Sequence, residues 1–71
     1  MYIEHYYLND NEKVVVEEEL LTVRKKTVTR YLFSETEDRW IPQDIIHCHP
    51  EEADLVVRGY FHDQKKARGN A

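Results

Sequence analysis

Residues 39–50, RWIPQDIIHCHP, hold the feature from which the fold is predicted: two short strands on either side of a proline. Arg39-Trp40-Ile41 begins as a strand, and Pro42 is expected to end it, because proline has no amide hydrogen for a β-ladder. Gln43-Asp44 then forms a tight corner, and a second strand runs from Ile45 to His49. A turn and a strand therefore explain this stretch without any bound ligand.

The same alternation of strands and polar turns continues outward in both directions. Asn9-Asp10-Asn11 favours a hairpin, because Asn and Asp tolerate left-handed backbone angles. Arg24-Lys25-Lys26 and residues 34–38 are further turn candidates, and residues 50–54 form a last acidic loop. Further strands are predicted over Tyr2–Leu8, from Lys13–Val16 through the glutamate triplet to Leu20–Val23, over Thr27–Phe33 and over Leu55–Val57.

Strand and turn units that recur about every eight to twelve residues are typical of an all-β sandwich or barrel. We predict a small antiparallel barrel of five to six strands, followed by a short C-terminal helix from Gly59. The barrel and helix form one domain over residues 1–67, and residues 68–71 are expected to fray. The predicted core consists of Trp40 with Ile41, Ile45, Val28, Leu32 and Val57 around it.

The glutamate triplet 17–19 leaves two points open. In a regular strand Glu18 would share a face with Val14 and Val16, so a bulge, a bend or an edge position is expected near it. A helix over residues 12–26 is the competing interpretation, because Glu, Leu and Lys are good helix formers. The β-branched valines weigh against that helix.

Composition limits both size and function. Seventy-one residues make one domain, near the lower limit at which a chain buries enough apolar surface to fold alone. Fourteen acidic against ten basic residues argue against nucleic-acid binding by bulk electrostatics. One cysteine excludes an intramolecular disulfide, and the N-terminus lacks a signal-peptide pattern. We therefore expect a cytoplasmic protein without membrane association.

Trp40-Ile41-Pro42, the polar pair that follows and then Ile45 resemble a corner, W-[IL]-P-K-S-x-[IV], found in small phage and bacterial domains. The resemblance covers roughly residues 13–67 and implies a Src-homology-3-like β-barrel and a phage or mobile-element origin, with host cytoplasm as the location. Gln43-Asp44 stands where that corner has Lys-Ser. Asp44 can cap the corner as Ser would, whereas the basic surface of the relatives is not matched.

The His-Cys-His sequence at residues 47–49 is a candidate metal site. His47 and His49 project to one face of a strand and Cys48 to the other, so the three cannot ligate one ion together. A site of His47, His49 and His62 is the metal alternative, but no other closely spaced Cys or His pair supports it. We predict no metal or other cofactor, with Cys48 in the core and the histidines in solvent.

An enzyme is not predicted. The neighbouring histidines point away from Cys48, and no glycine-rich loop suggests an oxyanion hole. The paired carboxylates Glu35 with Glu37 and Glu51 with Glu52 lie in loops expected to be solvated, which does not favour acid–base catalysis.

Two binding functions remain. The first is a non-enzymatic module that acts by contact with a protein partner, such as a host nucleic-acid-acting protein, through the N-terminal strand residues Tyr2, Tyr6 and Tyr7. That strand is a natural sheet edge, so self-association through it is also expected. The alternative is single-stranded nucleic-acid binding by the basic residues and an exposed tyrosine. Its residues would be Arg24, Lys25, Lys26, Arg30 and Tyr31.

Overall fold

The computed structural model describes residues 3–19 and 25–69, with side chains as far as residue 63. These residues form a mostly β structure: four antiparallel strands in one sheet, in the order β1-β2-β3-β4, and one C-terminal helix. The elements are β1 (Ile3–Asn9), β2 (Glu12–Glu19), β3 (Lys25–Ser34), β4 (Arg39–Cys48) and α1 (Pro50–Gly69). No helix in this described part is long and apolar enough to cross a membrane.

The first hairpin confirms the turn predicted at residues 9–11. The Asn11 amide donates a hydrogen bond to the Asn9 side-chain oxygen at 2.8 Å, which is the local bond by which Asn stabilises a tight turn. The Asn9 side-chain amide in turn donates to Glu12 at 3.3 Å. The reversal brings β1 against β2, with Tyr7 opposite Lys13.

The strand β2 is regular through the glutamate triplet. Its register with β3 runs without interruption from Glu12 opposite Leu32 to Glu19 opposite Lys25. The bulge or bend expected near Glu18 is therefore absent from this pairing, and the helix considered for residues 12–26 is wrong for the described part of that range. Lys25 and Lys26 belong to β3 rather than to a turn, while the predicted strand Leu20–Val23 and Arg24 lie outside the described residues.

Pro42 does not end a strand, contrary to the prediction. The strand β4 continues through it because the register with β3 shifts there: Asp44 lies opposite Arg30, Pro42 lies opposite Tyr31, and Gln43 has no opposite residue. Such a bulge on an edge strand is a position where a proline is tolerated in a sheet.

The helix begins nine residues earlier than predicted. Pro50 occupies its first turn, where a missing amide hydrogen costs nothing, and Glu51 and Glu52 place negative charge at the positive end of the helix dipole. The segment 55–57, predicted as a strand, is helical. Three apolar residues in a row fit either structure, and the helix also extends to Gly69, into the tail expected to fray.

The core lies between one face of the sheet and the helix. Its buried members are Leu8, Val14, Val16, Val28, Cys48, Ala53 and Val57, with Tyr6, Val56 and Tyr60 packed against them. The five- to six-stranded barrel is not found: the described sheet has four strands and is open, because β1 and β4 remain separate edges.

This architecture also changes the predicted core. Val28 and Val57 are buried as expected. Ile45 is 58% exposed and Leu32 37% exposed, whereas Trp40 and Ile41 are half-buried. A barrel would enclose one face of every strand, but a single helix covers only the middle of one face.

Candidate protein-contact surface

The face of the sheet opposite the helix, called the open face below, is covered by no other element of the described chain. Alternate residues of each strand point to it. Strand register arranges them in three cross-strand rows. The turn-end row is Tyr7, Lys13, Tyr31 and Pro42; the central row is His5, Val15, Thr29 and Ile45; the far row is Ile3, Glu17, Thr27 and His47.

An aromatic cluster surrounds Lys13 at the turn end of the open face. The Lys13 ammonium lies 4.5 Å from the centroid of the Trp40 ring and 5.8 Å from those of Tyr7 and Tyr31. Trp40 also makes edge contacts with Phe33, at 5.3 Å between centroids, and with Tyr7, at 6.2 Å. Cation–π attraction and ring packing together hold this Lys13 cluster in place.

Chain geometry explains why the Lys13 cluster forms. Lys13 follows the first hairpin turn closely, and Trp40 follows the turn at residues 35–38. In an antiparallel meander these two turns lie at the same end of the sheet. The indole of β4 can therefore reach Tyr7 of β1, the opposite edge strand.

Exposed apolar side chains also lie on the two edge strands of the open face. Ile3 and Tyr7 of β1 are 45% and 59% exposed, and Ile45 lies on the opposite edge strand. Between the edges, Val15 and Thr29 are buried by their neighbours although no helix lies over them. The open face thus carries exposed apolar side chains on both edge strands, polar side chains among them and aromatic rings at one end.

A hydrogen-bonded trio lies at the far end. The Thr27 hydroxyl donates to Glu19 at 2.7 Å, and His47 Nδ1 lies 3.0 Å from the same carboxylate oxygen and 3.3 Å from the hydroxyl. The hydroxyl bond and the nearby imidazole hold the pKa of Glu19 below its ordinary value. Because one ring nitrogen meets both groups, this is not a nucleophile relay, which needs the two nitrogens to serve different partners.

The three predicted contact tyrosines do not share a surface. Tyr7 is exposed on the open face, whereas Tyr6 is half-buried on the helix side and packs against the core. Tyr2 lies outside the described residues. Successive strand residues point to opposite faces, so neighbouring tyrosines are separated by the pleat. The sequence analysis missed Lys13, which shares the face of Tyr7 because the register between β1 and β2 shifts between Tyr7 and Asn9.

The basic residues of the nucleic-acid alternative are likewise divided. Lys25 and Tyr31 belong to the open face, and Lys26 and Arg30 to the helix side. The Arg30 guanidinium bridges Glu12 at 2.7 Å and Asp44 at 2.8 Å, and these hydrogen bonds raise its pKa. Arg30 is therefore held in an ion-pair network within the sheet, and the three described cations Lys25, Lys26 and Arg30 do not form one strip.

The histidine segment has the predicted alternation. Cys48 is buried in the core, where desolvation raises the pKa of its thiol, while His47, His49 and His62 are exposed. Within the described residues no group of three His, Cys, Asp or Glu side chains is placed to hold a metal ion.

A shallow cleft of about 200 Å³ lies on the helix side, beside the first turn of α1. Its lining includes Glu4, Tyr6, Lys26 and Asp54. Ligand pockets are usually about 300 to 1,000 Å³ and mainly apolar, so this small charged cleft is a poor candidate for a substrate site.

Comparisons of the chain with protein-family models, with curated proteins and with solved structures gave no match. The function is therefore inferred from the chemistry of the open face.

Proposed function

We propose that this chain is a non-enzymatic binding module that acts by protein–protein contact through the open face. One observation carries the proposal: the helix covers a single side of the sheet, and the other side presents Ile3, Tyr7 and Ile45 beside the Lys13 cluster. Exposed apolar and aromatic side chains concentrated on one face of a small protein mark a contact site. Tyrosine and tryptophan are also enriched where proteins meet.

The biological setting that we propose is a phage or other mobile element, with a host nucleic-acid-acting protein as the target. Its support is the motif around Trp40 together with the acidic surplus of four charges. Part of that surplus, Glu35, Glu37 and Asp38, is exposed in the turn between β3 and β4. Negative charge beside a contact face speeds encounters with a basic protein surface.

Site-specific photo-cross-linking tests the protein-contact function. A photoreactive phenylalanine analogue replaces Tyr7 in one variant and Leu55 in a matched control, because Leu55 is equally apolar and 65% exposed but lies on the helix. We expect a discrete protein adduct from position 7 and none from position 55. Adducts from position 55 alone, or none from either in cells of the source organism, would contradict the proposal.

Single-stranded nucleic-acid binding is the second candidate, and the Lys13 cluster favours it. Tyr7, Tyr31 and Trp40 surround a lysine on an exposed antiparallel sheet, and exposed aromatic rings beside positive charge are how many proteins stack bases. The charge of the whole chain opposes it.

Trp40 is the only tryptophan, so its fluorescence reports directly on the open face. Oligonucleotides added at low and moderate salt should leave that fluorescence nearly unchanged if the chain contacts proteins. Quenching with a dissociation constant below about 1 µM, weakening steeply with salt, would instead establish the second candidate.

A further inference from the structure

We infer that the partner of the open face is a second copy of this chain, stacked face to face about a two-fold axis that crosses β2 at Val15. This inference rests on the proposed use of the open face for protein contact. It differs from pairing through the edge of β1, because the side chains of the open face, not backbone groups, form the contact.

The charges of β2 are self-complementary about Val15. Lys13 and Glu17 both belong to the open face and lie two residues to either side of Val15, which is about 6.6 Å in each direction along a strand. A two-fold axis in the interface plane, perpendicular to the strands, reverses the strand direction. It therefore sets Lys13 of each copy against Glu17 of the other.

The remaining positions follow the same symmetry. The turn-end row of one copy meets the far row of the other, so that Tyr7 lies over Ile3, and the central row meets itself, Val15 over Val15 and Ile45 over Ile45. The exposed apolar side chains of this face are thus covered by apolar groups, whereas His5 lies over His5. Two such sheets, stacked about 10 Å apart, form a sandwich with a helix on each outer side.

The area that the open face can bury in such a dimer is small. Four strands at about 4.8 Å spacing and about eight residues at 3.3 Å each give roughly 500 Å² per copy, or about 1,000 Å² in total. Stable interfaces usually bury about 1,200 to 2,000 Å². We therefore expect a reversible dimer whose population depends on concentration.

Paired charge reversals test the arrangement. In K13E the residues at positions 13 and 17 are both acidic, and in E17K both are basic. Each variant should therefore repel a second copy of itself and dimerise at least about tenfold more weakly than the wild type. Mixing the two variants restores both opposite-charge contacts. We expect dimers in the mixture, measured by sedimentation velocity from about 10 to 500 µM. E35K is the matched control, since it makes the same charge change as E17K in an exposed turn.

K13E removes the cation of the Lys13 cluster and can unfold the chain. A second pair of variants therefore tests the same contact without changing Lys13. I45S should abolish dimers, and L55S, of similar exposure on the helix, should not. Circular dichroism verifies that each variant folds.

The possible outcomes distinguish a failure of the face-to-face dimer from a failure of the proposed protein-contact function. A monomer at every concentration overturns the dimer, and the proposed function survives only if the position-7 cross-linker captures a different protein. If K13E, E17K and I45S dimerise as strongly as the wild type, the face-to-face arrangement is wrong and edge pairing through β1 is favoured. A mixture no more associated than its components overturns the Lys13–Glu17 pairing.

Discussion

Replacing Val28 by alanine tests whether one face of the sheet carries the core. Val28 is fully buried, so the change removes two buried methyl groups, which cost about 0.8 kcal/mol each. A residual cavity of about 30 Å³ adds about 0.7 kcal/mol at about 24 cal/mol per Å³. The free energy of unfolding should therefore fall by about 2.3 kcal/mol. In a domain of this size each kcal/mol lowers the melting temperature by about 4 to 8 °C.

Ile45→Ala is the comparison, because Ile45 lies on the opposite face of the sheet, which no element of the described chain covers, although the barrel prediction placed it in the core. Since Ile45 is 58% exposed, losing three carbons that are about two-fifths buried should cost only about 1 kcal/mol. Urea unfolding followed by far-ultraviolet circular dichroism, at low micromolar protein to suppress dimers, measures both values. Equal losses for Val28→Ala and Ile45→Ala would refute the open sheet, since they require both faces to be covered in the monomer.

Three further predictions use other parts of the structure. Burial raises the pKa of the Cys48 thiol, so a disulfide reagent at pH 7 should label it far more slowly than the unfolded chain; equal labelling rates would show that the helix does not cover it. The lowered pKa of Glu19 gives stability that is present above its unfolded pKa and lost as the pH falls through the folded pKa. Below about pH 4.5 the free energy of unfolding should therefore fall less steeply with falling pH in E19Q than in the wild type. Identical slopes in the two acid titrations would contradict this. Lys13→Met removes the cation from three rings and should destabilise the chain by about 1 kcal/mol while shifting Trp40 emission, whereas an unchanged emission spectrum would place the lysine elsewhere.

Local chemistry was sufficient to predict the first hairpin and much of the strand content. Asn9 makes its turn through a bond to an amide two residues away, so every partner lies within the quoted triplet. The β-branched run at residues 14–16 indicated a strand against the helix-forming glutamates beside it. The alternation that buries Cys48 and exposes His47 is likewise a property of neighbouring residues in one strand.

The site was predicted less well, because it is assembled across strands. The prediction grouped Tyr6 with Tyr7 by proximity in the chain, whereas Tyr7 contacts Lys13 and Trp40, and Tyr31 joins them through Lys13. Strand register determines these cross-strand contacts. It depends on bulges, such as the one at Gln43, that are difficult to predict from a single sequence.

The amino-acid sequence by itself determined where the chain reverses at residues 9–11 and that one small, mostly β domain forms. Only the tertiary structure decided that residues 50–58 are helical and that the sheet stays open. The physical reason is that Ala53 and Val57 lie one turn apart on a helix and become buried only against valines 25 to 43 residues earlier in the chain. Covering one sheet face with that helix stabilises the helix over the competing strand and leaves the opposite face available for contact.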